Sequence, residues 1–284
     1  RCCVASHKGG ALFVDGNSNN ILFNNVTNCH AGKGGGAICI LASESTLKGN
    51  TIVNNSDDSI GGAIQITGDK TTIINNVFSD NVAAANGGAL YIDGSNAVIS
   101  ENRFINNKAT STSGGAIKLN GKGNNISYNT FDNCVASYKG GAIFIESDGN
   151  ELMYNNITNC HATNGGGAIC IMGSSSKLSN NVLRKNGDDS IGGAIQITGN
   201  NSIIKYNVFS DNVAATNGGG LYIDGSNAII SGNSFAGNKA TSASGGAIRL
   251  NGAGNTISYN MFDGCVASHK GGALFIDGDS NKIL

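Results

Sequence analysis

The side chains in this 284-residue sequence able to do chemistry are eight cysteines, four histidines and two Asp-Asp pairs. The interval from Cys3 to Cys29 is the same as that from Cys134 to Cys160. Such pairs suit disulfides only if a fold sets positions at that interval side by side. Cys39 and Cys170 lie much further apart along the chain. His30 follows Cys29 and His161 follows Cys160, residue types that build zinc sites and Cys–His nucleophiles. Asp57–Asp58 and Asp188–Asp189 sit in the phrases NSDDSI and NGDDSI, and paired carboxylates are the tools of glycoside hydrolysis. What any of these groups can do depends on the element that holds it.

Those elements are written in a repeat. A GG pair begins at Gly9, Gly35, Gly61, Gly87, Gly114, Gly140, Gly166, Gly192, Gly218, Gly245 and Gly271, in steps of 26, 26, 26, 27 and 26 that then recur. Five steps carry the chain from Gly61 to Gly192, which is why GGAIQITG at 61–68 returns at 192–199. Three and five residues after the first glycine lie constant aliphatics, such as Ile38 and Ile40 or Ile64 and Ile66. Between them is a varied column: Phe13, Cys39, Gln65, Tyr91, Lys118, then Phe144, Cys170, Gln196, Tyr222, Arg249 and Phe275. Constant aliphatics flanking a variable residue read as a β-strand with its aliphatics inward and the varied column outward. Inward positions of a second strand follow at Ile21, Leu47, Ile73, Ile99 and Ile126, and of a third at Val26, Ile52, Phe78, Phe104 and Phe131.

Three short strands per step, with no helical periodicity, predict an all-β, right-handed parallel β-helix of about eleven coils. The whole of 1–284 reads as one solenoid, with long repeats at 1–131 and 132–262 and the start of a third at 263–284. Both ends fall inside a repeated phrase, so the expectation is an excerpt of a longer chain or filament. Asn24, Asn50, Asn76, Asn102, Asn129, Asn155, Asn181, Asn207, Asn233 and Asn260 hold one position per coil. Coils stacked about 4.8 Å apart would let these amides bond as a ladder.

This frame sorts the chemistry. Cys3–Cys29 and Cys134–Cys160 fall on adjacent rungs, where a disulfide and a pair of buried thiols both remain open readings. Cys265 would have its partner one coil further on. Adjacent residues of a strand point to opposite faces, so Cys29–His30 and Cys160–His161 do not assemble a zinc set or a nucleophile. Cys39 and Cys170, in the outward column five coils apart, are expected as surface residues or as thiols crosslinking neighbouring rods. Tyr91, Lys118 and Phe144 form a cation–aromatic stripe on successive rungs, repeated by Tyr222, Arg249 and Phe275. It reads as a self-stabilising surface ladder or as a contact for glycans or a partner rod. N-x-S/T sequons at Asn25, Asn54, Asn125, Asn156 and Asn200 could carry glycans in an extracellular protein.

The GGAI phrases at 61–64, 114–117, 140–143 and 192–195 combine with F-x-x-N at Phe78–Asn81, Phe104–Asn107, Phe209–Asn212 and Phe235–Asn238. Together they resemble the repeat of polymorphic outer-membrane proteins, and more nearly the adhesin-like β-helix proteins on the surface of methanogenic archaea. The resemblance spans the chain and implies an extracellular right-handed β-helix serving adhesion or envelope structure. It implies no catalytic residue. The Asp-Asp phrases resemble one motif of the polygalacturonases, but that family's N-T-D, G-H-G and R-I-K motifs do not occur here. Asp57–Asp58 and Asp188–Asp189 are therefore expected as solvated turns.

Composition narrows the rest. The sequence has 43 glycines, no proline and no tryptophan, with a net charge of −1. That charge offers no field for nucleic acid, which clustered Lys and Arg would supply. No apolar run is long enough to span a bilayer as a helix. The expectation is a non-enzymatic structural rod that binds itself end to end and laterally, without a cofactor or metal. A carbohydrate-binding adhesin is the alternative, and a polysaccharide-acting enzyme the third reading.

Overall fold

The computed structural model describes residues 3–284, and Cys2 lies outside them. Every strand among the described residues pairs in parallel with its counterparts in the adjacent coils. The result is a parallel β-helix. One coil runs through His30–Ala31, Ile38–Ile40, Thr46–Lys48 and Thr51–Val53 before the next begins at Ser56–Asp57. There are thus four short sheets, three of eleven strands and one of ten. Three of the four strands in each coil are those the sequence pattern predicts. The extra one is too short to show an alternation, and carries the register His30↔Ser56 and Ala31↔Asp57.

The register matches the sequence columns. Ile64 pairs with Ile38 and Leu90, and Phe78 with Ile52 and Phe104. Ile38, Ile64, Leu90 and Ile117 are wholly buried, as are Leu47, Ile73 and Ile99 of the second strand. The third strand stacks phenylalanines on successive rungs, with ring centroids 4.9 Å apart for Phe78–Phe104 and 4.7 Å for Phe104–Phe131. Each coil alone would leave one side of these groups wet, so burial is completed only by its neighbours.

The GG phrase has two separate causes. Gly61 lies at φ +64°, the left-handed region, where a side chain is strained. Gly62 has ordinary φ, but a Cβ there would collide with the Gly88 carbonyl and the Val82 backbone of the next coil. The first glycine turns the chain and the second lets the coils touch.

The Asn ladder is formed. Asn50 Nδ2 donates to Asn76 Oδ1 at 2.9 Å and to the Ile21 carbonyl at 2.8 Å, while its own backbone N–H reaches the same Asn76 oxygen at 2.8 Å. The pattern continues through Asn129 to Asn260. A second ladder uses the asparagines of F-x-x-N, with Asn55 Nδ2 to Asn81 Oδ1 at 3.0 Å and Asn186 Nδ2 to Asn212 Oδ1 at 3.0 Å. These amides satisfy buried backbone groups at corners where no strand partner exists.

Candidate binding groove and the buried polar columns

The varied column after GG is covered over much of its length: Cys39, Gln65, Lys118, Phe144, Cys170 and Gln196 are buried, Tyr91, Tyr222, Arg249 and Phe275 are half-buried, and Phe13 is exposed. At Gly34 and Gly165 the turn before GG lies close against the outward side chain of the neighbouring coil. Gly34 leaves the space into which the Gln65 side chain fits, and Gly165 does so for Gln196. Cys39 and Cys170 are consequently fully buried, their thiols directed at Gln65 Oε1 (3.7 Å) and Gln196 Oε1 (3.4 Å). Burial pushes the Cys39 thiol up to about 11 and the Cys170 thiol to about 12. The expectation of surface thiols that crosslink rods is corrected: these are inert interior groups.

The same turns meet the carboxylates. Asp57 and Asp188 are buried, not solvated, at positions where neighbouring coils carry alanine. Asp57 Oδ2 accepts the Gly34 N–H at 2.8 Å, and Oδ1 accepts the N–H groups of Ser59 (2.7 Å) and Ile60 (2.8 Å). Asp188 repeats this with Gly165 and Ser190. Burial raises Asp57 to about 6 and Asp188 to about 7, against the pull of those backbone donors. Each is a clasp for the covering turn. The second aspartates, Asp58 and Asp189, are exposed and meet His30 and His161.

The stripe of Tyr91, Lys118 and Phe144 lines a groove of about 410 Å³. Lys118 Nζ lies 3.9 Å from the Phe144 ring centroid and 2.7 Å from Glu146 Oε1. Both Lys118 and Phe144 are nearly buried, at 4% and 5% exposure, so the stripe is the floor of a groove and not a raised ridge. Burial lowers the Lys118 ammonium, and Glu146 opposes that. Asn120 Nδ2 donates to the Tyr91 hydroxyl (2.8 Å) and to Asp93 (2.7 Å). The walls add the exposed Tyr138 and Met172, which the sequence columns did not single out. Their signal was weak because they lie in turns, outside the strand alternation.

One long repeat further on, Arg249 lies 4.2 Å from the Phe275 ring centroid and 2.9 Å from Asp277. Asn251 there donates to the Tyr222 hydroxyl at 2.7 Å. The cation, aromatic and carboxylate are therefore brought together twice. Apolar ring faces beside amide and carboxylate groups can hold a small polar molecule that also has a hydrophobic face.

The profile described as a right-handed beta helix region matches residues 1–136 and 106–284. The chain belongs to the right-handed β-helix family. Among solved structures, the crystal structure of the Dettilon tailspike protein superposes with a TM-score of 0.57 at 15% identity. That match covers 94% of this chain and 62% of the tailspike, so the chain spans under two thirds of its length, and the likeness is one of fold. No curated protein matches.

Within this right-handed β-helix the remaining cysteines occupy the second Asn column. Cys134 and Cys160 are buried one coil apart. Cys134 Sγ lies 3.6 Å from Asp132 O and Cys160 Sγ 3.2 Å from Thr158 O. Burial, then the neighbouring Cys134, raises the Cys160 thiol well above its usual range. Cys29 likewise points at Thr27 O (3.4 Å) from a buried position, whereas Cys3 is exposed. The β-helix places the sequons outside its core: Asn25, Asn54, Asn156 and Asn200 are exposed and Asn125 is half-buried. Among the described residues no group of three His, Cys, Asp or Glu side chains is placed to hold a metal.

Proposed function

We infer that the chain is a structural rod of a cell surface, a length of β-helix that spans distance and associates with copies of itself. The observation that carries this reading is the unbroken register of all four sheets along the described chain. No long insertion interrupts it among the described residues, and the core is continuous from Ile21 to Ile257. Such a molecule is one-dimensional, and its stability grows with coil number. The tailspike fold likeness and the adhesin-like repeat phrases support an extracellular setting, in which the exposed sequons would carry glycans. The mechanical role needs no catalytic residue.

Electron microscopy of the native assembled protein, with and without reductant, tests this. Continuous rods with an axial rise of about 4.8 Å per coil are expected. Because Cys39, Cys134, Cys160 and Cys170 are buried inside the coils and not on the rod surface, the rods should survive reductant. Only short discrete particles in native material would remove the filament.

The second reading is glycan contact through the two stripes, favoured by the repeated Tyr–cation–Phe–carboxylate set. Tyr91→Ala with Tyr222→Ala should abolish retention on glycan arrays while leaving the melting temperature within a few degrees. Unchanged retention would retire the stripes as the contact.

A further inference from the structure

A second groove, also of about 410 Å³, lies on the outer face of the two-residue sheet. On its floor His30 and Ser56 are direct cross-strand neighbours. Ser56 Oγ lies 3.0 Å from His30 Nδ1, and His30 Nε2 lies 3.3 Å from Asp58 Oδ2. An imidazole thus bridges a hydroxyl and a carboxylate. The carboxylate takes the Nε2–H, which leaves the Nδ1 lone pair to accept the serine proton. Val4 and Val82 form apolar walls on either side. Asn54 Nδ2 donates to Asn28 Oδ1 at 2.5 Å, which leaves the Asn28 amide N–H groups as donors lining the groove.

The molecule contains its own controls. In the second long repeat His161 and Asp189 keep their contact at 3.4 Å, but the cross-strand neighbour of His161 is Gly187. There the base and its carboxylate persist without a hydroxyl. Conversely, Ser268 Oγ lies 3.0 Å from His269 Nδ1 without a carboxylate ion-paired to that histidine among the described residues.

We propose that Ser56 is a nucleophile toward short-chain acyl esters, activated by His30 and Asp58. This goes beyond the structural role and does not depend on it. Ser56 Oγ bonds to the ester carbonyl carbon as its proton passes to His30 Nδ1. The bond to the leaving alkoxide breaks, and that oxygen takes the proton from Nδ1. Water then attacks the acyl-serine, giving one proton to Nδ1 and thence to Ser56, so that ester and water become acid and alcohol. Asp58 holds the imidazole in position and stabilises its charged form, a positioning role. The valine walls and the small groove favour a short uncharged acyl group.

The test uses the full chain, a fluorophosphonate probe mapped by peptide mass spectrometry, and hydrolysis of p-nitrophenyl acetate. Ser56 should label at least about tenfold faster than Ser268. S56A and H30Q should remove that labelling and the associated burst, and D58N should slow it by about tenfold. G187S should add a second labelled position beside His161. All four positions lie outside the hydrophobic core, and an unchanged melting temperature shows that each variant folds. Labelling of Ser56 no faster than Ser268, labelling unaffected in H30Q, or no second labelled position in G187S would overturn the proposal.

Discussion

Asp57 and Asp188 show how one residue can act as part of the interior when the sequence suggests a wet turn. Each is raised by burial from the ordinary 3.8, to about 6 and about 7 respectively. At pH 5 the unfolded chain has released these protons while the folded chain still holds them. Their contribution to stability is therefore fully present below about pH 3.8 and is lost as pH rises through 6 and 7. The thermal midpoint should fall between pH 4 and pH 8, and the slope should flatten in the D57N/D188N double variant. A single pKa unit corresponds to about 1.4 kcal/mol, so the two sites together can move stability by several kcal/mol at most. A wild-type slope no steeper than that of the variant would mean that both carboxylates stay ionised within the fold.

The elements are coils, and their weak points are the corners. Asn129 donates to Ile99 O at 2.8 Å and Asn155 Oδ1 at 3.0 Å, and accepts from both nitrogens of Asn102. Asn129→Ala would leave several buried groups unpaired and should cost about 2–4 kcal/mol by denaturant titration. Amide hydrogen exchange should rise at that corner first. Glycines give a sharper contrast. Gly62→Ala drives a Cβ into the Gly88 carbonyl, so it should prevent close stacking and lower the thermal midpoint severely. Gly149→Ala meets nothing within 4 Å and carries only the strain of φ +70°, about 1 kcal/mol. Equal effects of the two substitutions would mean that coil approach does not limit stability.

For the whole molecule, the long repeat sets the spacing of features along the rod. Five coils correspond to about 24 Å, so the two Tyr–cation–Phe stripes recur at that interval along the rod. Excising 132–262 should join matching coils, because the register of residue 132 onward repeats that of residue 263 onward. Small-angle scattering should then show a rod about 24 Å shorter with the same cross-section. A chain that failed to fold after excision would show that the coils are not interchangeable.

Much of this was legible in the linear pattern. A near-constant step aligns identical columns, and parallel stacking turns each column into a ladder, so Ile64 over Ile38 and Asn50 over Asn76 follow from spacing alone. The pattern also implies glycine pairs at the tightest approach. It is silent about distance around the coil. Whether the turn before GG swings into solvent or lies back over the strand depends on backbone geometry at Gly34 and Gly165, and only the tertiary structure decided it. That choice covers Cys39 and Cys170, which alternation would leave outside. The meeting of Ser56, His30 and Asp58 has the same origin, since a strand so short has no periodicity to read. Periodicity reports which residues share a face, and packing decides which faces meet water.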